Sequence, residues 1–489
     1  MNANQNQVLL HPDRLYIEGS WVEPSSSATF DVIDSNDESV YLTVAEAQAA
    51  DMSRAIAAAR LAFDEGPWPQ LSHADRAGYL TALATELRTR TEAVADIWPR
   101  EAGVLHTMAK TAAPGSATAL DSYAAIANDY PWEEAATPSV PTNFAKIVRE
   151  PVGVVGAIIP WNAPLGLAVH KVGPALLTGC TVILKAAPEA PGAAYILAEC
   201  AEAIGLPAGV LNVVTADREV SEMLVNDHRV DKIAFTGSTE AGRKIGSIMG
   251  GRIGRYTLEL GGKSAAVILD DADLEHVAAT IAGVECLISG QVCASLTRLI
   301  VSRSRHDEFV DALTSSFSAK VVGDAFDEAT QMGPLAMARQ RDRVEHYIAE
   351  GIREGATLTT GGGRPAGLDR GYFIEPTVFA NVDNSSVIAR EEIFGPVLSV
   401  IPVADEAEAV RTANDSIYGL NASVFSTDVA RASGVAARLR SGTVGLNSFQ
   451  SDMGIGFGGF KQSGIGREGG REGLKAYLET KVVIGTEPF

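Results

Sequence analysis

Between residues 152 and 260, short apolar runs alternate with stretches of helical character, and this alternation restricts the fold more than any other feature of the chain. The runs at 154–159, 181–184, 210–214, 232–236 and 256–260 are β-rich and of strand length. Helices are predicted between them over 164–177 and 190–204, around 221–226, and from about Thr239. Continuously apolar strands that alternate with helices imply a parallel sheet covered on both faces. The expected fold class is therefore α/β with a doubly wound parallel sheet. Ligands of such sheets lie beyond the carboxyl ends of the strands.

A second α/β block begins near Gly261, with a strand predicted at 265–269. Leu274, Val277, Ile281, Val284 and Ile288 then recur at intervals of three and four, which predicts one amphipathic helix started by Asp271 or Asp273. Cys293 follows, then a strand at 297–301 and further α/β segments to about 460. Near the start, 15–22 and 28–33 read as a hairpin, and 54–63 and 75–88 as helices. The stretch 131–141 contains Pro and Thr, and 143–149 is extended. The tail carries Val482-Val483-Ile484, an apolar strand able to pair with another subunit's sheet edge.

Composition narrows the partners. The 489 residues hold 40 Lys+Arg against 61 Asp+Glu, a formal charge of −21, which argues against nucleic acid or an anionic membrane. No apolar stretch reaches the ~18 residues needed to cross a bilayer. Met1-Asn2-Ala3-Asn4-Gln5 lacks the basic patch and apolar run of a signal peptide, so a cytoplasmic location is expected. The four cysteines form no Cys-x-x-Cys pair, and the eight histidines form no His-x-x-x-His pair, so no metal site is expected.

Three strand ends can supply chemistry: Pro160-Trp161-Asn162, Lys185, and Glu259-Leu260-Gly261-Gly262. A parallel sheet puts them on one edge. Cys293 sits in the loop Ser289-Gly290-Gln291-Val292-Cys293. A thiol, an amide donor, a carboxylate and a Gly-rich turn suit acyl transfer. Plainer readings stand beside this one. Cys293 is a small buried hydrophobe, Asn162 caps the helix at Pro164, Lys185 is exposed, and Glu259 pairs with Arg255 or Lys263. Gly464-Ile465-Gly466-Arg467-Glu468-Gly469 has dinucleotide-loop spacing but no preceding strand, and Gly262-Lys263-Ser264 lacks the earlier glycine of a phosphate loop. A better anion site is Phe235-Thr236-Gly237-Ser238-Thr239, where a strand turns into a helix N-terminus. An ordinary cap by Ser238 or Thr239 is the alternative.

Six motifs stand in one order: Ile159-Pro160-Trp161-Asn162, Phe235-Thr236-Gly237-Ser238-Thr239, Leu258-Glu259-Leu260-Gly261-Gly262-Lys263-Ser264, Gly290-Gln291-Val292-Cys293, Glu391-Glu392-Ile393-Phe394-Gly395-Pro396 and Ser463-Gly464-Ile465-Gly466-Arg467-Glu468. Together they resemble the aldehyde dehydrogenase superfamily over nearly the whole chain. The resemblance implies oxidation of an aldehyde, apolar or aromatic, to its acid with NAD⁺ or NADP⁺. It assigns Cys293 as nucleophile, Asn162 as oxyanion donor and Glu259 as the base that activates water. It places Ile158, Trp161, Lys185, Gly237, Ser238, Glu392 and Phe394 at the cofactor, and gives Glu468 a role in proton relay. It implies a Rossmann-like dinucleotide-binding domain (1–128 and 152–261), a catalytic domain (262–461), and a β-rich arm and tail (129–151 and 462–489) joining a homo-oligomer, dimer or tetramer.

The chain departs from the pattern in places. Pro188 stands where many NAD-preferring members carry a glutamate, with Glu189 one place on, so NAD is expected and NADP is the alternative. Ala163, His170 and Gly456 also differ, and bear on substrate shape. Leu167, Phe449, Met453 and Phe457 motivate the apolar substrate. The rival activities are a CoA-acylating aldehyde dehydrogenase and a catalytically idle protein of the same fold.

Overall fold

The computed structural model describes residues 8–488, so Met1 to Gln5 lie outside the described residues. The five apolar runs form parallel strands: β1 (Val154–Ile158), β2 (Thr181–Ala186), β3 (Leu211–Thr215), β4 (Lys232–Thr236) and β5 (Arg255–Glu259). Their order is β5-β4-β1-β2-β3, with Leu15–Ile17 and Ser20–Val22 added antiparallel beyond β3 and Gly464–Ile465 antiparallel beyond β5. The chain winds outward from β1 to β3, then returns to the other side of β1. The reversal between β1 and β4 opens a crevice at their carboxyl ends.

The helices α1 (Pro164–Thr178), α2 (Gly192–Ala203), α3 (Arg218–Asn226) and α4 (Thr239–Gly251) connect these strands. Pro164 starts α1, where its missing N–H costs nothing, and Gly179 ends it at φ 97°. The Asp217 and Ser238 side chains cap α3 and α4. Every residue of β1 to β4 is buried. Burying each Val, Leu or Ile contributes about 1.5–3 kcal/mol, against about 0.5–1.5 for a backbone hydrogen bond. The two-sided apolar cover therefore does more than the ladder to fix the sheet.

A second sheet has seven strands in the order Thr357–Thr360, Thr377–Ala380, Val397–Val403, Arg298–Ser302, Ala265–Ile268, Asn421–Phe425 and Thr443–Leu446. All its pairs are parallel except the first. A third, antiparallel sheet joins Glu133–Ala136, Phe144–Pro151 and Leu478–Gly485. The apolar tail strand thus pairs within its own chain, and its outer edge keeps Val482 and Ile484 exposed.

Two expectations need correction. The hairpin expected from 15–22 and 28–33 is two hairpins, Leu15–Ile17 with Ser20–Val22 and Thr29–Ile33 with Val40–Ala45. The amphipathic helix, α5 (Leu274–Glu285), stops short of Ile288. Asp273 caps it, while the Asp271 carboxylate accepts from Ser426 and Thr427.

Candidate active site

The register of the large sheet assembles the strand ends. Ile158 is opposite Lys185 on one side and Phe235 on the other, and Thr236 is opposite Glu259. Asn162 follows β1 by four residues and is buried. It does not cap α1, which starts from Ala163 without a side-chain cap. Its Nδ2 instead donates to the Gln291 carbonyl at 2.9 Å, and its own carbonyl accepts from Trp98 Nε1 at 2.8 Å. One amide proton therefore anchors the side chain.

The loop before Cys293 has an uncommon backbone. Ile288, Ser289 and Gly290 all have positive φ, at 48°, 52° and 70°. A β-branched residue there is strained by about 1–3 kcal/mol, so the surroundings must hold it. Ser289 Oγ donates to the Gly333 and Pro334 carbonyls at 2.7 and 3.0 Å. The buried Gln291 accepts from the Ala336 N–H and donates to the Ala102 and Ile288 carbonyls. A Cβ on Gly290 would meet the Gly395 backbone, and one on Gly262 would meet the Cys293 carbonyl.

Cys293 thus reaches an apolar cluster of Ala294, Leu420 and Phe457, with Val292, Phe449 and Met453 beside it. Burial pushes its thiol up to about 12, and the Glu392 and Glu259 carboxylates add to the shift. Glu259 is buried at the end of β5, and its Oε2 has no hydrogen-bond partner. Burial, then the charge of Glu468, holds its carboxyl well above the usual range. It pairs with neither Arg255, which binds Glu479 at 2.6 Å, nor Lys263. Behind it lies a buried ion pair between Lys171 and Glu468, and Lys171 Nζ also donates to Thr236 Oγ1 at 2.7 Å.

Glu392 accepts from the Gly262 N–H at 3.1 Å, and burial lifts its carboxyl to about 7. Phe394, at φ 62°, sets its ring edge-on to Trp161 with centroids 5.4 Å apart. Its carbonyl accepts from Gln340 Nε2. Lys185 is buried rather than exposed, and desolvation lowers its ammonium to about 8. Ser238 caps α4, accepting from the Ala241 N–H at 3.2 Å. The Gly237 N–H donates to the Glu259 carbonyl at 3.0 Å, tying the anion loop to the end of β5. Asn162, Glu259, Glu392, Trp161 and Phe394 gather around the Cys293 loop, while Lys185 stands on the far side of β1.

Gln291 and Trp98 hold the Asn162 segment; Gln291 had no sequence signal beyond motif membership, and Trp98 had none. Lys171 had one, as a lone cation in an otherwise apolar helix.

The model of the aldehyde dehydrogenase family matches residues 21–483. The chain belongs to the aldehyde dehydrogenase family. Among curated relatives, geranial dehydrogenase of Castellaniella defragrans is 44% identical over 96% of this chain and 98% of its own. A putative aldehyde dehydrogenase of Bacillus subtilis is 40% identical over 96% and 95%. Among solved structures, an aldehyde dehydrogenase of Mycobacterium tuberculosis complexed with NAD⁺ superposes with a TM-score of 0.94, at 45% identity over 96% of this chain and 97% of that one. Betaine aldehyde dehydrogenase of Staphylococcus aureus with NAD⁺ gives 0.95 at 36% identity, over 100% and 99%. This aldehyde dehydrogenase is therefore an oxidoreductase of α/β fold. Among its described residues no helix is long and apolar enough to cross a membrane.

Two expected results follow from this aldehyde dehydrogenase's geometry. Asn162→Ala removes an anchored amide donor and should lower kcat about 10²–10³-fold in steady-state assays. Glu468→Gln removes the negative neighbour of Glu259 and leaves the Lys171 charge uncompensated. Both changes favour the Glu259 carboxylate, so the acid limb of kcat against pH should move to lower pH. A limb that stays in place or rises would contradict this electrostatic account.

Proposed function

We propose that the enzyme oxidises an apolar or aromatic aldehyde to its carboxylic acid with NAD⁺, NADP⁺ being the lesser coenzyme, through a thioester on Cys293. The observation that carries this reading is the Cys293 thiol, set among Leu420, Phe449, Met453 and Phe457 and flanked by Glu259 and Glu392. The geranial dehydrogenase relative, named for an apolar aldehyde, supports the substrate class.

The crevice between β1 and β4 fits a dinucleotide. Lys185 is a desolvated cation at the end of β2, and α4 points its N-terminus at Gly237 and Ser238. Lys185 would hold the adenosine ribose, and Ile158, Trp161, Gly237 and Ser238 would lie along the pyrophosphate side. Glu392 and Phe394 would hold the nicotinamide end. Glu189 pairs with Arg339 at 2.5 Å and remains an obstacle to a 2′-phosphate, which favours NAD⁺.

The chain's residues then do the following. The Cys293 thiol gives its proton to water as its sulfur bonds to the aldehyde carbon. The oxyanion is met by the free N–H of Asn162 and by the Cys293 backbone N–H. Bound NAD⁺ supplies the hydride acceptor that leaves a thioester on the sulfur. Glu259 deprotonates the water that cleaves the thioester, and the Lys171–Glu468 pair behind it relays the proton. Because Glu259 would activate water, the acyl group goes to water rather than to CoA. Residues 1–128 with 152–261 form the cofactor domain, 262–461 the catalytic domain, and 129–151 with 462–489 the arm of a homo-oligomer. The unpaired thiols support a reducing, cytoplasmic location.

Following NADH and NADPH absorbance over an aldehyde panel tests this. Expected is NAD⁺-linked turnover without CoA, with kcat/KM rising from small charged to larger apolar aldehydes. Preference for small charged aldehydes, or a need for CoA, would refute it.

A further inference from the structure

A cavity of about 150 Å³ lies between the helices Thr91–Ala102 and Ala112–Ile126 and the helices α1 and α2. Its walls are mainly apolar, with Ile97, Trp98, Met108, Leu165 and Ile196 among them. The residues clustered around the thiol, Ala294, Leu420, Phe449, Met453 and Phe457, are not among its walls. A dry apolar cavity of this size takes a molecule such as benzene.

One wall is polar. Glu101 is buried; its Oε1 accepts from the Gly192 N–H at 2.9 Å, and its Oε2 has no hydrogen-bond partner. A buried polar oxygen without a partner is costly. Burial raises this carboxyl to about 8, so at neutral pH it is the acid. With Oε1 accepting an N–H, the proton sits on Oε2 and has nothing to donate to within the chain.

We propose that this cavity binds a small, uncharged, cyclic or branched apolar group carrying one hydrogen-bond acceptor, which the Glu101 Oε2 hydroxyl would meet. An anion would face an acid that must stay protonated, and a straight polar molecule would waste the apolar walls. The inference stands apart from the aldehyde chemistry, yet the cavity touches the catalytic segment. Trp98 holds the Asn162 carbonyl, and Trp98, Met108 and Val292, the residue before Cys293, pack against one apolar cluster of Ala95, Val104, Ala109 and Ile288. The group is a free molecule or the tail of an aldehyde; either source has the same chemistry.

Calorimetry on the full chain without cofactor, using cyclohexanone, tests the site. Saturable binding is expected, roughly tenfold tighter than methylcyclohexane, with no binding of cyclohexanecarboxylate. Ala193→Leu, which fills the cavity from α2, should lose cyclohexanone at least tenfold while keeping NAD⁺-linked turnover of acetaldehyde. Should that variant fail to fold, Ile196→Ala enlarges the same space and should shift preference from cyclohexanone to camphor. Cyclohexanone that competes with a long-chain aldehyde but not with acetaldehyde marks the substrate tail, and non-competitive behaviour against both marks a free ligand; either pattern supports the site. Unchanged cyclohexanone affinity in Ala193→Leu, no shift in Ile196→Ala, or equal binding of the carboxylate overturns it.

Discussion

Replacing Cys293 by Ala should lower kcat by roughly 10⁴–10⁶-fold, the scale seen when an enzyme loses its covalent nucleophile. No other thiol can substitute. Cys180, Cys200 and Cys286 are buried in apolar surroundings, and burial raises all three thiols. The loss should fall on kcat rather than on coenzyme binding, because the groups proposed to hold the ribose and pyrophosphate lie at β1, β2 and β4 and those proposed at the nicotinamide end are the Glu392 and Phe394 side chains. Fluorescence titration with NAD⁺ should therefore give an affinity within a few-fold of the parent. Turnover that survives the substitution would take Cys293 out of the mechanism. Loss of NAD⁺ affinity together with turnover would mean that the side chain supports the fold of the crevice.

Glu259→Gln should leave the first half of the reaction faster than the second. The amide keeps the shape of the carboxyl but cannot take a proton from water, and loss of a general base costs about 10²–10⁴-fold. Mixing this variant with NAD⁺ and aldehyde should produce a burst of NADH approaching one per subunit, followed by a slow steady rate. The acyl group should then be found on the sulfur by intact mass. Protonating the parent residue should mimic the substitution. Glu259 has a raised carboxyl, so its active, charged form is lost as pH falls through that raised value, and steady-state turnover should decline with it. A variant with no burst but a uniformly slow rate would place Glu259 in the attack step alone.

The parallel sheet, and the edge on which its strand ends meet, were legible because they follow from local pattern. Five apolar runs of strand length, each followed by a helix, leave few topologies, and their ends must share an edge. Asn162, Lys185 and Glu259 could therefore be assigned to one edge of the sheet, where Lys185 stands across β1 from the other two. The supports of those groups were not legible, because they join residues far apart in the chain. Lys171 meets Glu468 across 297 positions, and Gln291 reaches Ala102 and Ala336. The end of α5 was misplaced for another reason. Ile288 continues the apolar period faithfully, yet it adopts a left-handed backbone that a β-branched residue rarely takes. Its apolar spacing reflects burial near Trp98 and Met108, not helix continuation.

The insertion of Gly464–Ile465 beside β5, with Glu468 against Lys171 and Tyr477 buried behind the same sheet, bears on synthesis. During translation, the sheet made by residues 154–259 waits about two hundred residues for its edge partner and for the counter-charge of its buried lysine. Until that stretch leaves the ribosome, the nascent domain exposes an unpaired strand and an uncompensated cation, which is when holding chaperones would find it.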